Sequence, residues 1–142
     1  MEDRNRRFED KVVFISGAAR GQGREHAIRF AKEGARIIGF DVCADQPTTP
    51  YPLATEEDLA ETVRRVESAG GAMHAEVADV RDLNRLREVL KGGMDKYGRI
   101  DVILANAGTY SPGPVQWLTS EAWDETISIN LTGVFNTVRA GV

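Results

Sequence analysis

Four short runs of apolar and β-branched residues alternate with stretches whose apolar residues recur at helical spacing, and this alternation narrows the possible folds more than any single motif. Residues 11–16 and 35–41 are nearly continuous in apolar character, as strands buried on both faces are. Between them, a helix from about Gln22 to Glu33 carries Ala27, Ile28 and Ala31 on one side and stops at Gly34. Thr55 and Asp58 have the spacing of a capping box, and Leu59, Val63 and Val66 continue a second helix to Gly70 and Gly71. A third strand is predicted over 72–78. Asp79 and Asp82 then lead into a helix with Leu83, Leu86, Leu90 and Met94 on its apolar stripe. A fourth strand over 100–105 precedes a Gly/Pro loop, and Thr119 or Ser120 caps a last helix carrying Trp123, Ile127, Val134, Phe135 and Val138. Right-handed crossovers make 3-2-1-4 the natural strand order of such a parallel sheet, with helices on both faces. The ligand crevice is then expected at the carboxyl ends of strands one and four. The chain stops at Val142, within or at the tip of its last helix, and leaves strand four as an open edge, so a C-terminally truncated domain is expected.

Composition excludes several function classes. With 142 residues, 42% of them hydrophobic, the chain has the size of one globular unit that needs no staples to hold a core. Cys43 is the only cysteine, so there is no disulfide framework, and His26 and His74 lie too far apart in sequence to pair as metal ligands. Eighteen Lys+Arg against 22 Asp+Glu give a formal charge of −4, which argues against binding a nucleic-acid backbone. The one basic cluster, Arg4, Arg6 and Arg7, is interleaved with Glu2, Asp3, Glu9 and Asp10, so residues 1–10 read as a polar, solvated arm and 11–142 as the domain. No apolar run approaches membrane-spanning length and the first residues lack a signal-peptide core, which makes the cytoplasm the expected location.

Chemistry concentrates in the first strand–helix turn. Residues 16–23 read Ser-Gly-Ala-Ala-Arg-Gly-Gln-Gly, in which Gly17, Gly21 and Gly23 let a backbone approach a pyrophosphate while the helix N-terminus offers free N–H groups. A plain turn that only needs flexibility is the competing reading. Asp41 closes the second strand about twenty residues on, where a carboxylate accepts from both hydroxyls of an adenosine ribose and repels a 2′-phosphate, favouring NAD over NADP. Arg20, inside the turn, is either a 2′-phosphate attractor or a solvent-facing side chain. These signals together point to an α/β, Rossmann-type dinucleotide-binding domain.

Four patterns in register, namely the glycine turn, Ala78-Asp79-Val80, Ala105-Asn106-Ala107-Gly108 and Ile129-Asn130 within Ile-Asn-Leu-Thr-Gly-Val, resemble the short-chain dehydrogenase/reductase family over essentially all of the chain after the arm. The resemblance implies that Gly17, Arg20, Gly21, Gln22 and Gly23 cradle the cofactor phosphates. It places Asp41 and Val42 at the adenosine ribose, and Asp79 and Val80 at the adenine. It further implies that Asn106, Ala107 and Gly108 support the sheet beside the cofactor, and that Asn130 is the catalytic asparagine anchoring a proton-relay water. Helix N-cap, tight turn and kinked or surface asparagine are the structural alternatives at those three places. More narrowly, the turn continued to Arg24, Asp41-Val-Cys43, and an insertion with Pro47, Pro50 and Pro52 leading to Tyr51 and Thr55 are similar to the mycofactocin-coupled, carveol dehydrogenase-like branch. There the insertion is expected to cover NAD, which is reoxidised in place by an external redox carrier; a surface insertion without a role is the alternative.

The family's proton donor is a tyrosine followed four residues later by a lysine, a spacing that puts both on one helix face. Here Tyr51 is followed at that spacing by Thr55, Tyr97 by Asp101 and Tyr110 by Pro114. The resemblance therefore implies an NAD-dependent oxidoreductase of a secondary alcohol or ketone whose Ser/Tyr/Lys half lies beyond Val142, and the 142 residues alone are not expected to complete the reaction. The alternative is a non-catalytic dinucleotide-binding or interaction module. The family also implies a homo-oligomer, commonly a tetramer, with Phe135, Trp123 and Leu86 as interface anchors. Trp117 and Trp123 are expected to pack the last helix against its loop, Met73 and Met94 to fill the core, and Cys43 to be a small buried residue.

Overall fold

The computed structural model describes residues 6–142. Four strands, β1 (Val12–Ser16), β2 (Arg36–Asp41), β3 (Ala72–Val77) and β4 (Val102–Leu104), form one parallel sheet in the order β3-β2-β1-β4. The registers run Val12 to Arg36, Val13 to Val102 and Arg36 to Ala72. The helices are α1 (Gly21–Lys32), α2 (Glu56–Ser68), α3 (Leu83–Tyr97), α4 (Ser120–Ile127) and α5 (Gly133–Gly141). The winding reverses between β1 and β4, and the crevice opens there.

Alternation along the strands divides the core into two layers. Val13, Ile15 and Ile37 point to one face, where Ala27 and Ala31 of α1 and Leu59 and Val66 of α2 cover them. Val12, Phe14, Ile38 and Phe40 point to the other, against Leu86 and Val89 of α3 and Ile129. β1 is wholly buried and β2 is buried except at its ends, whereas β3 and β4, each with one neighbour, are half-buried. At the start of α2 the expected capping box forms: Thr55 Oγ1 accepts from the Asp58 N–H, and Asp58 accepts from the Thr55 N–H at 2.8 Å. Asp82 and Thr119 cap α3 and α4.

Several expectations need correction. Of the stretch read as a polar arm, residues 1–5 lie outside the described residues. Within residues 6–10, Arg6, Arg7, Glu9 and Asp10 are exposed, while Phe8 is half-buried: it sets its ring edge-on to Phe30 of α1 at 4.6 Å and donates its N–H to the Glu33 carbonyl, and Arg7 pairs with Glu33. The aromatic ring buries apolar area that the surrounding charges conceal in the sequence. Trp117 and Trp123 do not pack inward; they are 76% and 58% exposed. Met94 is also exposed, because α3 turns Leu86, Val89 and Gly93 to the sheet and Met94 lies one residue past that face. Leu86 is fully buried in the core and therefore unavailable as an interface anchor, whereas Phe135 is 58% exposed. The last helix is interrupted by a π-helical turn, Ser128–Thr132, which divides it into α4 and α5. No helix among the described residues is long and apolar enough to cross a membrane.

Candidate functional site

Three chain segments meet at the carboxyl ends of β1 and β4. Ser16, the last residue of β1, is buried, and its Oγ accepts from the N–H groups of Asn106 (2.9 Å) and Ala107 (3.0 Å). Asn106 returns its side-chain amide to the carbonyls of Ser16 and Gly17. The two strand ends on either side of the winding reversal are thus fastened to each other and to the glycine turn.

Gly17 has φ +68° and its α-carbon faces Ala107 so closely that a Cβ would come within 2.9 Å of the Ala107 Cα. Gly23, buried behind the turn, leaves even less room: a Cβ there would overlap the Gly17 carbonyl. Gly21, at φ +56°, has open space where its side chain would be. Close packing therefore demands glycine at 17 and 23, and the left-handed backbone favours it at 21. The N-terminus of α1 has no side-chain cap and no acidic residue in its first turn, so its leading N–H groups and positive dipole end are uncompensated.

Asp41, at the end of β2, is tied to this turn. Its carboxylate accepts from the Ala19 N–H at 3.1 Å and, through an Asx-type turn, from the Cys43 N–H at 3.3 Å. Behind the turn, Arg24 is largely buried and binds the carbonyls of Ala19 (2.6 Å) and Asp58 (2.8 Å) and the Thr62 hydroxyl (2.9 Å), joining α1, the turn and α2. Arg20 is exposed, and its guanidinium donates to the Pro52 carbonyl at 2.8 Å. The Cys43 thiol is half-buried, and burial together with the Asp41 charge pushes it up to about 12, which removes it as a nucleophile near neutral pH.

A cleft of ≈ 360 Å³ runs along these segments. Gly17, Arg20, Gly21, Gln22, Asp41, Val42, Asp79, Val80, Asn106, Ala107 and Gly108 all line it. Gly23 lies behind its wall. Asn130 also falls outside the lining; it sits on the π-helical turn, where its Oδ1 accepts from the Thr109 N–H (2.8 Å) and its Nδ2 donates to the Thr109 carbonyl (2.7 Å). Gly108 lets this contact form, since a Cβ there would sit 3.3 Å from Asn130 Oδ1. π-helical turns recur at functional positions because they re-aim one residue out of the helical ladder.

Sequence reasoning missed part of the lining: Gln46, Arg81, Thr109 and Ile129. Arg81 clamps Asp79 through its backbone N–H, Nε and Nη2, at 2.6–3.1 Å, and donates to Gln46 Oε1 at 2.6 Å. Burial works against the Asp79 charge, yet the Arg81 bonds outweigh it and hold the carboxyl below its ordinary range. The only signal was the arginine two residues after the aspartate. The insertion between β2 and α2 also reaches the far wall of the cleft. Tyr51 and Leu53 line the cleft, the Tyr51 hydroxyl accepts from the Tyr110 N–H at 3.1 Å, and the two tyrosine rings lie 5.4 Å apart.

A strand-end glycine turn, a helix N-terminus and a carboxylate at the end of the next strand in one cleft are an arrangement shared by many dinucleotide proteins, and overall similarity narrows the choice. The short chain dehydrogenase family profile matches residues 11–142. The chain belongs to the short-chain dehydrogenase/reductase family. Within that family it is 45% identical, over all of its length and 52% of the relative's, to an uncharacterised NAD-dependent oxidoreductase of Mycobacterium tuberculosis. It is 42% identical to the (-)-trans-carveol dehydrogenase of Rhodococcus erythropolis, over 96% of this chain and 50% of that one. The crystal structure of carveol dehydrogenase from Mycobacterium avium in complex with NAD superposes with a TM-score of 0.92 at 46% identity, covering 95% of this chain and 49% of that one. The chain spans about half the length of the curated relatives it matches.

Proposed function

We propose that the cleft binds NAD and that this chain is the cofactor-binding portion of an NAD-dependent short-chain oxidoreductase acting on a secondary alcohol or the corresponding ketone. The observation that carries the reading is the tie between Asp41 and the glycine turn through the Ala19 N–H, which sets a ribose acceptor and a pyrophosphate cradle at fixed separation. The residues fit such a ligand. Space is open at Gly21, where a side chain would intrude, and the buried Thr109 hydroxyl, on the cleft wall, has no hydrogen-bond partner among the described residues.

In this reading the N–H groups of Gly21, Gln22 and Gly23 hold the pyrophosphate, and Asp41 with Val42 holds the adenosine ribose. Asp79, steadied by Arg81, and Val80 flank the adenine. Asn106, Ala107 and Gly108 line the path to the reacting end. Bound NAD supplies a hydride acceptor, and its reduced form a hydride donor. Asn130 keeps one lone pair and one N–H beyond its contacts with Thr109, and these hold a relay water. The 142 residues contain no Tyr-x-x-x-Lys pair, so in this reading groups outside them move the substrate proton.

The insertion gives the reading its finer form. A proline-rich loop is tied to Arg20 through the Pro52 carbonyl and to Tyr110 through the Tyr51 hydroxyl, and in this reading it forms a roof over the bound nucleotide that limits water entry and slows exchange. NAD then stays bound through turnover and is reoxidised in place by an external carrier, as in the mycofactocin-coupled branch. The protein is expected to retain nucleotide through desalting, identified as NAD by mass spectrometry of the released ligand, and to prefer added NAD to NADP in calorimetric titration. Folded protein that neither carries nor takes up NAD contradicts the proposal.

A further inference from the structure

The roof over the cleft is fastened from outside the cleft, by a carboxylate. Glu125 lies on α4, is 9% exposed, and does not line the cleft. Both its oxygens point at the insertion. The Thr48 N–H donates to them at 3.2–3.3 Å, and the Thr49 hydroxyl donates to Oε1 at 3.0 Å. Burial opposes the charge, but these bonds and the positive charge of Arg81 outweigh it and keep the carboxyl below its ordinary range. The same stretch of insertion is held by Ser111, whose Oγ donates to the Thr48 carbonyl at 3.3 Å, and by the Arg81–Gln46 bond. Hydrogen bonds to a charged, partly buried acceptor are the stronger kind, and opening the insertion would leave that acceptor without its partners. Four residues on, in the π-helical turn that follows α4, Ile129 lines the cleft, so adjoining segments carry the fastening and part of the wall.

We infer that Glu125 is a positioning residue that latches the insertion over the bound dinucleotide through Thr48 and Thr49, and thereby sets how long the nucleotide stays. The inference rests on the reading of the cleft as an NAD site. Release of radiolabelled NAD from the loaded protein into excess unlabelled NAD tests it, with the melting temperature of each nucleotide-free variant as control. Glu125→Ala is expected to speed release about 10- to 100-fold. Glu125→Gln, which keeps an acceptor oxygen for both donors but loses the charge, falls between the two. Thr49→Val speeds release less than Glu125→Ala, and combining the two adds less than the product of their separate effects, because they break a shared bond. A merely structural role for Glu125 would lower the melting temperature and leave release unchanged and the Gln variant without rescue. Should Glu125→Ala fail to fold, Thr49→Val and Glu125→Gln carry the comparison. Wild-type release rates in all folded variants overturn the latch and leave the NAD reading standing. A wild-type protein that holds no NAD overturns both.

Discussion

Replacing Asp41 with alanine is expected to weaken NAD binding by about 10- to 100-fold, since hydrogen bonds to a charged group are each worth roughly 1.5–3 kcal/mol when their loss leaves nothing in their place. Two effects combine. The ribose loses its acceptor, and the Ala19 and Cys43 N–H groups lose the carboxylate that fixes the glycine turn relative to β2. Preference should change as well as affinity. The Asp41 charge repels a 2′-phosphate, so its removal narrows the gap between NAD and NADP, with Arg20 nearby on the turn. Asp41→Asn separates the two effects: it keeps an acceptor oxygen and so loses less NAD affinity than alanine, while it removes the repulsion. Calorimetric titration of both variants with both nucleotides measures this; unchanged affinities and unchanged preference would contradict the assignment of Asp41.

Gly23→Ala is expected to have the larger effect on the protein itself. The added Cβ would meet the Gly17 carbonyl carbon at 2.7 Å and Asn106 Nδ2 at 2.8 Å, with the Gly17 oxygen nearer still. These are backbone and a hydrogen-bonded amide, neither of which can swing away as the end of a long side chain can. Overpacking of this kind costs about 1–3 kcal/mol or more, equivalent to a fall in melting temperature of about 10 °C for a domain of this size. Because Gly23 stands behind the cleft wall, its effect on the ligand is indirect. Displacing Gly17 and Asn106 moves the turn away from its phosphate-binding shape, and NAD affinity should drop at least about tenfold for a displacement costing about 1.4 kcal/mol in binding. Gly21→Ala makes the contrast. No atom lies within 4 Å of a Cβ there, so only the strained φ of +56° acts against folding, at a cost of about 1–2 kcal/mol. Its methyl group nevertheless enters the pyrophosphate's space. Thermal melts and titration of the two alanine variants should therefore rank them oppositely, Gly23→Ala losing more stability and Gly21→Ala losing more affinity per degree of melting temperature lost.

The sheet was legible in the sequence because its central strands are buried on both faces and its helices on only one. Continuous apolar runs such as residues 12–15 stand out against the 3.6-residue stripes, and right-handed crossovers leave few topologies, of which 3-2-1-4 is the natural one and the one observed. Local signals also transferred well. The Thr55–Asp58 box needs only four residues to be read, and it forms as the spacing predicts.

What escaped was long-range and polar. Glu125, Arg24 and Arg81 look like ordinary surface charges in sequence, yet each is drawn inward by partners 34–77 residues away or by an adjacent acid. No periodicity marks a charge that is satisfied rather than solvated. The apolar residues of α4 and α5 were ambiguous for a related reason. Helical spacing marks Trp123, Phe135 and Val138 as apolar positions but not what they meet, and all three are exposed. The π-helical turn at Asn130 had no sequence signature beyond the asparagine itself.

The most direct test of the account is a crystal structure of the protein with NAD. The account predicts the adenosine ribose hydroxyls within hydrogen-bond distance of the Asp41 carboxylate, the pyrophosphate against the backbone of Gly21–Gly23, and the insertion closed above with Tyr51 still joined to Tyr110. A dinucleotide bound away from the carboxyl ends of β1 and β4, or one whose ribose leaves Asp41 untouched, would contradict it.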